Sequence, residues 1–95
     1  MTTSSQTATE NNTKKQHHTG SLYSIILHND DVNSFEYVAM TLVEVCDHDI
    51  IQAEQCTYIT HFNGKCDIKT GSFSSLEPIK TKLISKGLSA TIEET

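Results

Sequence analysis

The chain of 95 residues carries 12 acidic against 7 basic side chains, a formal net charge of −5 and a pI of about 5.4. Such a length holds one small domain with a modest core, and the acidity argues against nucleic acid or an anionic membrane as partner. No apolar run approaches the ~18 residues of a membrane span and no secretory leader opens the sequence; the three cysteines (Cys46, Cys56, Cys66) form no C-x-x-C pair, so a cytoplasmic protein with reduced thiols is expected.

Residues 1–20, "MTTSSQTATENNTKKQHHTG", contain almost no large apolar side chain. A segment of that kind cannot offset its ordering entropy by burial, so a flexible N-terminal tail is expected over 1–20 and an ordered domain over 21–95. The His17–His18 pair reads as part of the solvated tail.

"LYSIILH" has the aromatic and β-branched content of a strand. Asn29, Asp30 and Asp31 follow at once. Asn33 is then a good N-cap, with Glu36 three residues on as the reciprocal partner. Phe35, Val38, Ala39, Leu42, Val45 and Cys46 recur with the spacing of one helix face. Asp47–Asp49 breaks that helix. Asp49 starts a second one, with Gln52 in the reciprocal position, through "IIQAEQCTYITHF" to a stop at Gly64. "KCDIKT" alternates as a short strand ending at Gly71. "SSLEPIKTKLISKG" predicts a third helix through Leu76, Ile79 and Leu83, with Pro78 accommodated in its first turn and Gly87 ending it. "LSATIE" alternates again, Leu88, Ala90 and Ile92 sharing a face. The order β-α-α-β-α-β predicts an α+β fold, a three-stranded antiparallel sheet with three helices on one face.

The polar residues admit three chemistries. A metal site from Cys46, His48, Cys56, His61 and Cys66 has poor spacing: Cys56 and His61 lie five apart on one predicted helix and point about 140° apart, whereas helical ligand pairs prefer i,i+3 or i,i+4. Cys46 is more simply part of the apolar stripe. No metal and no cofactor are expected. A hydrolase built on Asp30, Asp31 and His61 lacks a nucleophile, a glycine-rich phosphate loop or a nucleophile elbow, so no catalytic residue is assigned. The third chemistry is cation binding. Asn29 offers a carbonyl, and Asp30 and Asp31 offer only acceptors. With one ring nitrogen of a neutral His61 they suit an ammonium group. The bland counterpart is a turn that caps the next helix, with a helix-end histidine elsewhere.

"YSIILHNDDVNSFEYV", followed by "QAEQCTYITHFNGKC", resembles the ClpS family of N-degron adaptors for Clp AAA+ proteases over roughly residues 22–95. The shared pattern is the strand with Asn-Asp-Asp at its end, an aromatic-plus-acid start to helix one, and A-x-Q…H-x-x-G-K around helix two. The resemblance implies the fold order read above, shared with the C-terminal domain of the ribosomal stalk protein, and a non-enzymatic role. By matching position, Asn29, Asp30, Asp31 and His61 would hold the free α-amino group of a substrate's first residue. Leu27, Asn33, Phe35, Val38, Thr57 and Thr60 would line the pocket for its bulky apolar side chain, and Ser89 matches an apolar wall residue. The implied partners are N-degron substrates and a Clp-family AAA+ ATPase, ClpA- or ClpC-like. The tail would engage that ATPase.

Three departures stand out. Asn33-Ser34-Phe35 replaces a frequent Thr-Pro-Met, Thr57 stands where relatives carry a large Met, and helix three is about a turn short. The competing function is an interaction module of the same fold that docks on a large assembly without reading N-termini.

Overall fold

The computed structural model describes residues 21–95; the tail expected over 1–20 lies outside the described residues. The elements are β1 (Tyr23–His28), α1 (Phe35–Cys46), α2 (Ile50–Asn63), β2 (Lys65–Gly71), α3 (Phe73–Ser85) and β3 (Ser89–Glu94). This is the β-α-α-β-α-β order expected from the sequence. The sheet runs β2-β1-β3 with both pairings antiparallel, so the first strand is the central one.

Alternation on β1 decides what each face does. Ile25 and Leu27 point into a core shared with Ala39, Leu42 and Cys46 of α1, Ala53 and Cys56 of α2, and Leu76 and Leu83 of α3. Ser24 and His28 have the opposite parity and bond across the other face: Ser24 Oγ lies 3.1 Å from Thr70 Oγ1, and His28 Nε2 lies 2.8 Å from Thr91 Oγ1. Between Ile25 and Ile26 the partners on β2 jump from Lys69 to Asp67, leaving Ile68 as the extra residue of a bulge. Ile68 is thereby buried in the core, and its carbonyl accepts from His48 Nε2 at 2.7 Å. That bond pins the α1–α2 turn to the sheet.

Two local readings need correction. Asn33 does not cap α1. Ser34 does, its hydroxyl accepting the Tyr37 N–H at 3.1 Å. Asn33 is drawn instead into bonds with Asp30 and Gly87 that no local signal announces. Pro78 is not in the first turn of α3, because Ser72 caps that helix and Phe73 opens it. As the sixth helical residue, Pro78 cannot donate to the Ser74 carbonyl. Ser74 and Pro78 are both exposed, so water can satisfy that carbonyl in place of the missing N–H.

The remaining ends follow the capping chemistry read from the sequence. Asp49 Oδ1 accepts the Gln52 N–H at 2.8 Å. α2 stops at Gly64, whose φ of 92° is the left-handed conformation that glycine adopts without a Cβ penalty. α1 ends with Asp47 itself in that region, at φ 58°, and Lys69 Nζ reaches the Cys46 carbonyl at 3.3 Å. Among the described residues no helix is long and apolar enough to cross a membrane.

Candidate functional site

Where β1 leaves the sheet, the chain opens a pocket of about 280 Å³ between the start of α1 and the last turns of α2. All ten residues singled out from the sequence line it: Asn29, Asp30, Asp31 and His61, and Leu27, Asn33, Phe35, Val38, Thr57 and Thr60. One backbone bond explains how distant segments meet. The Asn29 N–H donates to the Gly64 carbonyl at 2.9 Å, tying the loop after β1 to the turn after α2. His61, in the last turn of α2, is carried to the same rim.

The loop is shaped by Asp30. Its Oδ1 accepts the Val32 N–H at 2.9 Å and the Asn33 N–H at 3.0 Å. The Asn33 side-chain amide lies 3.2 Å from Oδ2 and donates also to the Gly87 carbonyl, at 2.9 Å. The bond from the Asn33 N–H, aided by those from Val32 and the Asn33 amide, holds the Asp30 carboxyl below its ordinary value against a desolvation that pushes it up. Asp30 is therefore an ionised carboxylate largely occupied in building the loop. Asn29, Asp31 and His61 are exposed at the rim. The His61 ring meets Phe62 edge-on, centroids 5.0 Å apart.

The deeper walls are apolar in effect. Leu27 is buried at the floor and Val38 is half-buried. Thr57 and Thr60 are buried, and their hydroxyls donate to the Ala53 and Cys56 carbonyls at 2.7 and 2.8 Å. With those hydroxyls returned to their own helix, the surface the threonines offer is chiefly methyl. Phe35, 43% exposed, stands at the opening.

Two lining residues were not foreseen. His28 borders the pocket although its ring bonds Thr91 on the other face of the sheet. Leu88, and not Ser89 as the resemblance implies, forms the apolar wall. Ser89 is exposed and pairs opposite His28 on the outer face, whereas Leu88 is 3% exposed and lines the cavity. The turn after α3 sets this phase: the Leu88 N–H donates to the Leu83 carbonyl at 3.0 Å and the Gly87 N–H to Ile84 at 2.9 Å, with Gly87 at φ 90°. This is the Schellman pattern, and it folds the residue after the glycine inward. The alternation of Leu88, Ala90 and Ile92 was the signal that could have found it.

Chemically, the pocket is an acceptor-rich mouth above an apolar throat. Its lining includes no lysine, arginine, serine or cysteine, and both threonine hydroxyls are engaged. That arrangement suits a ligand with a cationic head and an apolar side group. Among the described residues no group of three or more His, Cys, Asp or Glu is placed to hold a metal. Burial pushes the Cys46 thiol up to about 11 and the Cys66 thiol up to about 12, so neither is a thiolate at neutral pH.

Comparison with known proteins identifies the family and the fold. The family model for "ATP-dependent Clp protease adaptor protein ClpS" matches residues 18–91. The ATP-dependent Clp protease adapter protein ClpS of Prochlorococcus marinus (strain MIT 9515) is 37% identical over 78 residues, covering 76% of this chain and 70% of that one. Among solved structures, Agrobacterium tumefaciens ClpS2 bound to L-phenylalaninamide superposes with a TM-score of 0.76 at 21% identity, over 79% of this chain and 98% of that one. That last likeness is one of fold.

Proposed function

The chain belongs to the ClpS family of Clp protease adaptors, an adaptor and not an enzyme, and on that footing we propose that it reads N-degrons through the pocket at the end of β1. The first residue of a substrate places its α-ammonium among Asn29, Asp31 and His61, within the field of the ionised Asp30. Its side chain enters the throat formed by Leu27, Asn33, Phe35, Val38, Thr57, Thr60 and Leu88. The observation that supports this reading most is the convergence of four acceptor-bearing groups at the mouth of one cavity whose deeper walls are largely apolar. An ammonium offers three donors and no acceptor, so it matches a rim that has acceptors to spare. L-phenylalaninamide, bound in the Agrobacterium structure, has the same two parts, a free α-amine and an apolar ring.

Delivery is the other half of the proposed role. The partner is a ClpA- or ClpC-like AAA+ ATPase in the cytoplasm, and residues 1–20 act in hand-off to it rather than in recognition. Binding of a Phe-initiated peptide, compared with its N-acetylated form, tests the reading. Acetylation removes the charge and two donors, so affinity should fall at least ~10-fold if a charge-assisted bond is lost. Equal affinities would leave a module of this fold that docks without reading N-termini.

A further inference from the structure

A second apolar depression lies beside the pocket, on the outer face of α2. Ile51, Glu54, Gln55, Tyr58 and Ile59 line a shallow groove of about 670 Å³ together with Phe35. Ile51, Tyr58 and Ile59 are 65%, 58% and 41% exposed, and none of them belongs to the core cluster. Positions 51, 55, 58 and 59 follow the i, i+4, i+7, i+8 spacing of one helix face. Exposed apolar side chains gathered on one face, as distinct from ones scattered singly, are the kind of surface that interaction sites use.

Phe35 decides what fits there. It lines both the pocket and the groove, so one aromatic ring separates the two. An extended peptide turns residues one and three to the same side, about 6.6 Å apart, close to the width of that ring. We infer that the groove is a second side-chain subsite for the same substrate, receiving the third residue while the first occupies the pocket. The inference rests on the proposed N-degron reading and extends it. The groove should take apolar or aromatic side chains against Ile51, Tyr58 and Ile59. Glu54, its one charged lining residue, should turn away an acidic one.

The test uses the full chain and peptides Phe-Ala-Xaa-Gly, dye-labelled at the C-terminus, with Xaa as Ala, Leu or Asp. Partial burial of a leucine side chain in an open groove should strengthen binding about 3- to 10-fold over Ala, and Asp should bind more weakly than Ala. Ile51→Ser and Tyr58→Ser, both at exposed positions, should erase the Leu preference and leave the affinity for Phe-Ala-Ala-Gly unchanged. Absence of a Leu preference in the parent chain, or one that survives both substitutions, overturns the subsite. Concentration-dependent dimers abolished by Tyr58→Ser would assign the groove to a second copy and overturn it as well. So would a loss of hand-off to the ATPase in variants that keep the Leu preference. Equal binding of free and acetylated Phe-Ala-Ala-Gly would bring down the pocket reading itself, and the subsite with it.

Discussion

Asp30 and Asn33 are bonded to each other twice over: the Asn33 N–H donates to Asp30 Oδ1 at 3.0 Å, and the Asn33 side-chain amide lies 3.2 Å from Oδ2. Because the same amide reaches the Gly87 carbonyl at 2.9 Å, a loop that begins at β1 is held to the turn that begins β3. The pocket rim is thus a braced structure before any ligand arrives.

That brace should be visible in a double-mutant cycle. Asp30→Ala and Asn33→Ala should each cost about 1 kcal/mol, the usual size of a lost cap or hydrogen bond. The two removed together should cost less than the sum, since they share one network. Urea midpoints at neutral pH measure all four corners of the cycle. Strict additivity would mean the two side chains act independently despite their geometry.

The same carboxylate makes an acid-side prediction. Its folded pKa lies below the ordinary value, chiefly through the Asn33 N–H. A depressed carboxylate stabilises the fold above the unfolded pKa of about 3.9, and that contribution fades as pH falls through the lower folded value. The parent chain should therefore lose stability below about pH 4 more steeply than Asp30→Asn, which has no proton to take up there. Identical acid limbs for the two proteins would refute this.

His61 should matter to binding and little to folding. It is exposed on the rim, its ring in a T-shaped contact with Phe62. Losing one hydrogen bond to a charged ligand costs about 1.5–3 kcal/mol. His61→Ala should thus weaken a free-amine Phe peptide by roughly 10- to 100-fold and shift the thermal midpoint by no more than ~2–4 °C. An unchanged affinity would remove His61 from the amine site.

The fold was legible because its periodicities are clean. The Phe35-to-Cys46 stripe and the alternation in "LYSIILH" and "LSATIE" name the core face of each element, and Asp49, Gly64 and Gly87 punctuate as their chemistry demands. The candidate site was read through the family pattern, and its ten residues do converge on one cavity. What stayed hidden depended on tertiary partners. Asn33 and Ser34 are both competent caps, and only Asp30 and Gly87, arriving from elsewhere, decide that Ser34 does the capping. The bulge at Ile68 shifts the pairing of β2 without leaving a mark in "KCDIKT". Alternation puts Leu88 on the inner face, whereas the family pattern points one residue later, to the exposed Ser89.

Gly87 should be a sensitive backbone position beside the pocket. Its φ of 90° is strained for any residue with a Cβ, although the space is open and the nearest atom, Asn33 Oδ1, would lie 3.9 Å away. Gly87→Ala should cost about 1–2 kcal/mol, from conformation and not from a clash. It should also weaken peptide binding, because the same turn positions Leu88 and the carbonyl that anchors Asn33. A urea midpoint and one peptide titration separate the two effects. A loss of stability with no loss of affinity would mean that the pocket tolerates movement of this turn.

Under the proposed function, Thr57 should set how much the throat admits. It is 4% exposed on the pocket side of α2, and its hydroxyl is committed to the Ala53 carbonyl, so it offers the ligand a short methyl wall. A methionine there would extend into the cavity and crowd side chains that branch at Cβ. A difference of one methylene in fit is worth about 1–3 kcal/mol in an apolar pocket, or roughly 10- to 200-fold in discrimination. The parent chain should therefore accept Ile- and Val-initiated peptides less reluctantly than Thr57→Met does, with Phe, Tyr, Trp and Leu preferred by both. Overpacking is the competing outcome, because Thr57 borders Ala53 and Cys56 in the core. Thr57→Leu, shorter than Met, controls for it: a variant that keeps its urea midpoint yet gains Phe-over-Ile preference isolates the pocket effect. Phe-, Leu-, Val- and Ile-initiated peptides titrated side by side against all three proteins give the answer. If the Phe-to-Ile ratio rises in neither stable variant, Thr57 is not the selectivity wall, and the gate at Phe35 becomes the next position to vary.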